Sequence, residues 1–128
     1  MQPWIIIQTG MVTGWEDKMN IREELGKRML FFDGGLGSLL QARGLKPGEL
    51  PETWNLSKPE ELLAIHKEYL EAGADIILAN TFGANRFKYD HLQEIVEAAV
   101  KNAKKAAEEC GRNAYVALDL GPTGKLLK

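Results

Sequence analysis

Three short apolar runs, each stopped by a polar tip that contains glycine, limit what this chain of 128 residues can build. They are Met29 to Phe32 before Asp33-Gly34-Gly35, Ala74 to Ala79 before Asn80-Thr81-Phe82-Gly83, and Ala114 to Leu118 before Asp119-Leu120-Gly121-Pro122. Runs this short and this apolar predict strands covered on both faces. Helical spacing fills the gaps between them. Ser57-Lys58-Pro59-Glu60 has the form of a capping box, and Leu62, Ile65, Tyr69 and Leu70 then recur along one face to about Ala72, with Gly73 suited to the left-handed stop. From about Asp90, a stripe of Leu92, Val96, Ala99, Ala103, Ala107 and Cys110 predicts a second long helix closed by Gly111. Gly34 to Pro51 reads as a long loop holding a short helix at Leu36, Leu39 and Leu40. Strand, helix, strand, helix, strand is an α/β alternation, in which the strands run parallel.

Composition narrows the function classes. Sixteen Lys and Arg against 18 Asp and Glu, without a basic stripe, disfavour a nucleic-acid surface. One cysteine, Cys110, forms no internal disulfide, so the expected compartment is the cytoplasm. The apolar stretch Trp4 to Ile7 is broken by Gln8 and Thr9 and lacks a basic segment before it, so neither a signal peptide nor a membrane role is expected. Residues 1–18 show no helical or strand period, whereas Met19 opens a helix-compatible run, Asn20 to Arg28. The expectation is a leader at 1–18, outside the fold, and a domain at 19–128 with Met19 as the natural start.

Parallel α/β folds bind ligands at the carboxyl ends of their strands, so the three tips should meet at one site. Asp33 offers a carboxylate to a ligand ammonium. Gly34 and Gly35 let backbone N–H groups approach a ligand carboxylate, because no Cβ intervenes. On this triplet alone the blander reading stays open: the glycines permit positive φ and Asp33 caps the next turn. The string is not a dinucleotide fingerprint or a phosphate loop. No lysine ends a strand to form a Schiff base, which weakens an aldolase-like reading.

The strings FFDGGLGSLLQARG, PETWNLSKPEELLAIHKEYLEAGADIILANTFGANRFK and YVALDLGPTGKLLK, in that order, resemble the start of the homocysteine S-methyltransferase domain, especially that of the cobalamin-dependent methionine synthase type, over about residues 29–128. The resemblance implies the N-terminal portion of a (β/α)8 TIM barrel, about three strands and two main helices. It implies a methyltransferase that moves a methyl group to the homocysteine thiol to make methionine. Asp33 matches the strand-end aspartate that holds the substrate ammonium, and Gly34 the glycine whose N–H faces the substrate. Thr81 matches a threonine near the bound amino acid, and Asn55 lies where a polar residue approaches it. Asn80, Asn85 and Asp119 belong to the same motifs, with shaping the turns as an equal reading.

The resemblance also implies zinc, which binds the thiol as thiolate. Its ligands in the family are three cysteines on later strands, so no metal ligand and no catalytic residue is assigned here. Cys110 reads as a packing residue on a helix, and His66 and His91 as structural or solvent-facing. Methylcobalamin is one implied methyl donor, with betaine and S-methylmethionine open. A complete barrel takes about 250 residues, so the expectation is an incomplete domain, inactive alone. Its partners would be homocysteine and either the rest of the barrel as a separate chain or another copy through open sheet edges. A truncated gene product and one half of a split enzyme both fit, and a non-enzymatic amino-acid-binding or assembly module is the alternative from another class.

Overall fold

The computed structural model describes residues 20–126 and the backbone of Ile5–Ile7. After strand β1 (Ile5–Ile7) come a single helical turn α1 (Ile21–Glu24), the short helix α2 (Gly37–Ala42), a 3-10 turn at Pro51–Thr53 and the short helix α3 (Trp54–Ser57). The long helix α4 (Pro59–Glu71) then leads to β2 (Ile76–Leu78), and the long helix α5 (Leu92–Cys110) to β3 (Tyr115–Leu118).

The two long helices stop where their glycines predict. Gly73 and Gly111 take φ of 109° and 63°, the left-handed region that a side chain would disfavour. The start of α4 differs from expectation. Ser57 ends α3, with its hydroxyl donating back to the Thr53 carbonyl (3.1 Å), and it is not the cap residue of α4, so no capping box forms. Lys58 takes the cap position without a side-chain bond, and Pro59 opens the helix, where its missing N–H costs nothing.

β2 and β3 run parallel, with Ile77 opposite Val116. Phe32 makes a parallel bridge to Ile76, which puts the first apolar run beside β2. The strand expected over Met29 to Phe32 is therefore reduced to one bridge, supported by Asp33 N–H donating to the Ile76 carbonyl (2.9 Å) and by Asp75 N–H donating to the Phe31 carbonyl (2.8 Å). Nor is it buried: Met29, Phe31 and Phe32 are 73, 56 and 49% exposed. Cover depends on neighbours far along the chain, which a local apolar run does not encode.

Of the expected leader at 1–18, Ile5–Ile7 pairs antiparallel with the free side of β3, giving the order β1-β3-β2; residues 1–4 and 8–19 lie outside the described residues.

Side chains of β2 and β3 alternate between two apolar layers. Ile77 and Val116 face α4 and α5 through Leu70, Ala99, Ala103 and Ala106. Ile76, Tyr115 and Ala117 face the other way, against Ile21 and Leu30. A third cluster, Leu40, Trp54, Leu62 and Ile65, ties α2 and α3 to α4. Full burial of each such side chain contributes about 1.5–3 kcal/mol. Among the described residues, no helix is long and apolar enough to cross a membrane.

Candidate functional site

The three strand exits converge. Asp33, Gly34 and Gly35 from the first, Asn80, Thr81 and Phe82 from the second, and Asp119 from the third line one cavity of about 270 Å³, closed on another side by Leu36, Leu40, Pro51 and Glu52.

Cross-bonds between the tips hold this arrangement. The Thr81 hydroxyl accepts from Asp119 N–H (3.0 Å) and donates to the Asp119 carbonyl (2.9 Å). Gly121 N–H donates to the Phe82 carbonyl (3.0 Å), and a Cβ on Gly121 would lie 2.3 Å from that oxygen, so only glycine permits the approach. Asp33 reaches sideways, with Oδ2 accepting from Leu78 N–H (3.0 Å). Glu52, itself buried, accepts from Gly83 N–H and from the Tyr89 hydroxyl, both at 2.5 Å.

The expected site residues sort unequally. Asp33, Gly34 and Thr81 stand in the cavity wall, with the Thr81 hydroxyl engaged in the backbone of Asp119. Asn55 stands behind the wall. Its amide donates to the Asn80 and Ile95 carbonyls (2.9 and 3.2 Å) and its Oδ1 accepts from the Asn80 amide (3.0 Å), bolting α3 to the second tip and to α5. Asn85 accepts from Phe87 N–H (2.9 Å), the work of a turn residue.

Two groups in or beside the wall carry no local sequence signal. Tyr69, on α4, donates its hydroxyl to the Gly35 carbonyl (2.7 Å) and would meet a Cβ on Gly34 at 3.0 Å. Glu52 sits 31 residues from its Gly83 partner.

The electrostatics are one-sided. Among the described residues the lining contains three carboxylates, Asp33, Glu52 and Asp119, and no lysine, arginine or histidine. Asp33 Oδ1 and Asp119 Oδ1 are buried without a hydrogen-bond partner. Burial raises the Asp33 carboxyl to about 6, against the Leu78 N–H and with help from the Asp119 charge. Burial, then Glu52, raises Asp119. The Gly34 and Gly35 N–H groups donate to no protein acceptor among the described residues. The wall thus offers acceptors for a cation beside free donors for an anion, the complement of a zwitterion.

The described residues do not fit a zinc ion. Among them no three His, Cys, Asp or Glu side chains are grouped to hold one. Cys110 is partly buried against the helix layer at the end of α5. His66 is 1% exposed, with neither ring nitrogen bonded, and His91 is exposed at the start of α5.

The family model for homocysteine S-methyltransferase matches residues 30–128. The chain belongs to the homocysteine S-methyltransferase family. It is 31% identical over 122 residues to the methionine synthase of Mycobacterium tuberculosis, a match that covers 84% of this chain and 10% of that protein. The fold of this family member is similar to crystal structures of the homocysteine methyltransferase MmuM from Escherichia coli. The metallated form matches with a TM-score of 0.69 at 24% identity, covering 81% of this chain and 42% of that one. The oxidised form matches with a TM-score of 0.61 at 22% identity, covering 71% and 35%. The chain therefore spans a tenth of the curated relative and under half of the solved ones.

Proposed function

We propose that this chain is the amino-acid-gripping part of a (β/α)8 barrel that transfers a methyl group to the thiol of homocysteine. Asp33 takes the ammonium, Gly34 N–H takes the carboxylate, Thr81 shapes the wall and Asn55 braces it from behind. One observation carries the reading: among the described residues the cavity wall holds three carboxylates and no basic residue, and one oxygen of Asp33 in that wall is buried without a partner. An ammonium would satisfy that oxygen with a charge-assisted hydrogen bond.

The chemistry divides accordingly. The described residues bind and orient; activating a thiol as thiolate falls to zinc in the family, and no zinc donor set stands among them. Methyl transfer is thus proposed for the whole protein, in the cytoplasm, with methylcobalamin as the donor most in keeping with the methionine synthase relative.

Isothermal titration of the full chain with L-homocysteine under reducing conditions tests the reading. Asp33→Ala should weaken binding by roughly tenfold to a hundredfold, since a hydrogen bond to a charged group is worth about 1.5–3 kcal/mol. An unchanged affinity in the variant overturns it.

A further inference from the structure

We infer that Asp119 is a second anchor for the ligand's ammonium, sharing it with Asp33 across the cavity; the inference rests on the amino-acid reading above and names a ligand contact that reading did not include.

The competing role for Asp119 is to shape its turn, and the hydrogen bonds argue against that. A carboxylate shapes a turn by accepting backbone N–H groups, as the Asn85 side chain does from Phe87. The Asp119 side chain accepts none among the described residues, and its Oδ1 is buried without a partner. The turn is held by other groups. Thr81 grips both the N–H and the carbonyl of Asp119, and Gly121 is fastened to Phe82. The backbone is therefore set without the carboxylate.

A carboxylate oxygen buried without a partner costs stability. Asp119 shares the cavity wall with Asp33, and each feels neighbouring negative charge: Asp33 from Asp119, and Asp119 from Glu52. Among the described residues no cation in the wall relieves them. An ammonium carries three N–H donors. One donor to each aspartate satisfies both orphaned oxygens, and the third remains for a backbone carbonyl or water. A ligand without a donor at this end would leave both oxygens as they are. The two carboxylates therefore make the site select for a primary ammonium rather than for a thiol acid of the same length.

The test is titration of the full chain at neutral pH with two probes, L-homocysteine and its des-amino analogue, a mercaptobutanoate. Asp119→Asn should lower homocysteine affinity by about tenfold and leave the analogue's affinity unchanged or improved. Asp119→Ala should do the same, so the result does not depend on one variant folding. Thr81→Val, which loosens the turn but keeps the carboxylate, should weaken both probes together. Asp119 variants that weaken both probes equally, or neither, overturn this inference. If wild type binds homocysteine and Asp33→Asn loses the preference for the amine while the Asp119 variants keep it, only the role of Asp119 falls. If wild type fails to bind homocysteine, the amino-acid reading falls and takes this inference with it.

Discussion

A Cβ on Gly34 would meet the Tyr69 ring and hydroxyl at 3.0–3.4 Å, so this position is small partly because an aromatic side chain from α4 leans on it. That reason was invisible in the sequence, where Gly34 and Tyr69 are far apart and Tyr69 counts as one more apolar position of a helical stripe. Asp33 was legible because it ends an apolar run, a local signal. Glu52 was not, because its partners Gly83 and Tyr89 lie in another loop.

His66 shows the same contrast. The sequence places it on α4 without saying which way it faces, and in the fold both ring nitrogens are buried without partners. Leaving such a group unbonded costs about 1–3 kcal/mol. His66→Leu, which replaces the ring with an apolar side chain, should stabilise the chain by about 1 kcal/mol at neutral pH in urea denaturation. Destabilisation there would mean that the imidazole is bonded in solution.

Helices were easier to read than strands. On α5, Ala99, Ala103 and Ala107 of the expected stripe are buried, joined by Ile95 and Ala106, while Leu92, Val96 and Cys110 are half-buried; this face and the glycines at 73 and 111 are set by contacts within one or two turns, which a sequence largely displays. The strand expected over Met29 to Phe32 depends on pairing and cover from distant residues, and it shrinks to one bridge. The capping box failed for a local reason, because Ser57 is the last residue of α3 and the cap position of α4 falls to Lys58.

The loops that join these elements make a sharper prediction. Gly121→Ala would force a Cβ to 2.3 Å from the Phe82 carbonyl oxygen, which is backbone and cannot swing aside. Overpacking of this kind costs about 1–3 kcal/mol, and the second and third tips must separate to relieve it. Homocysteine affinity should fall along with the melting temperature. Retained affinity at full stability would show that the two tips are not clamped as described.

For the chain as a whole, two buried groups pull stability in opposite directions across the same pH range. Burial raises Asp33 from its ordinary value of 3.8 to about 6, so its folded state favours the proton; that contribution is complete below 3.8 and is lost as pH rises through 6. Asp119 is shifted the same way and adds to this limb. Burial lowers His66 from 6.5 to about 4, so its folded state favours the neutral ring; that contribution is complete above 6.5 and is lost as pH falls toward 4. Wild type should therefore show a flattened stability profile between about pH 4 and 6.5. Asp33→Asn should tilt it upward with pH, and His66→Leu should tilt it downward. Parallel profiles for all three proteins would contradict the burial of these groups. On the proposed reading, in which an ammonium pairs with the ionised Asp33, a saturating primary amine should also stabilise wild type increasingly as pH rises through 6.

The hydroxyl that joins the second and third strand exits also has a kinetic corollary. Thr81 and Asp119 are 38 residues apart, so they meet only after α5 has folded back and brought the last strand alongside its neighbour. The pocket is consequently the part of the molecule that solidifies late. A nascent chain leaving the ribosome would have its helices formed before the strand exits closed this cavity.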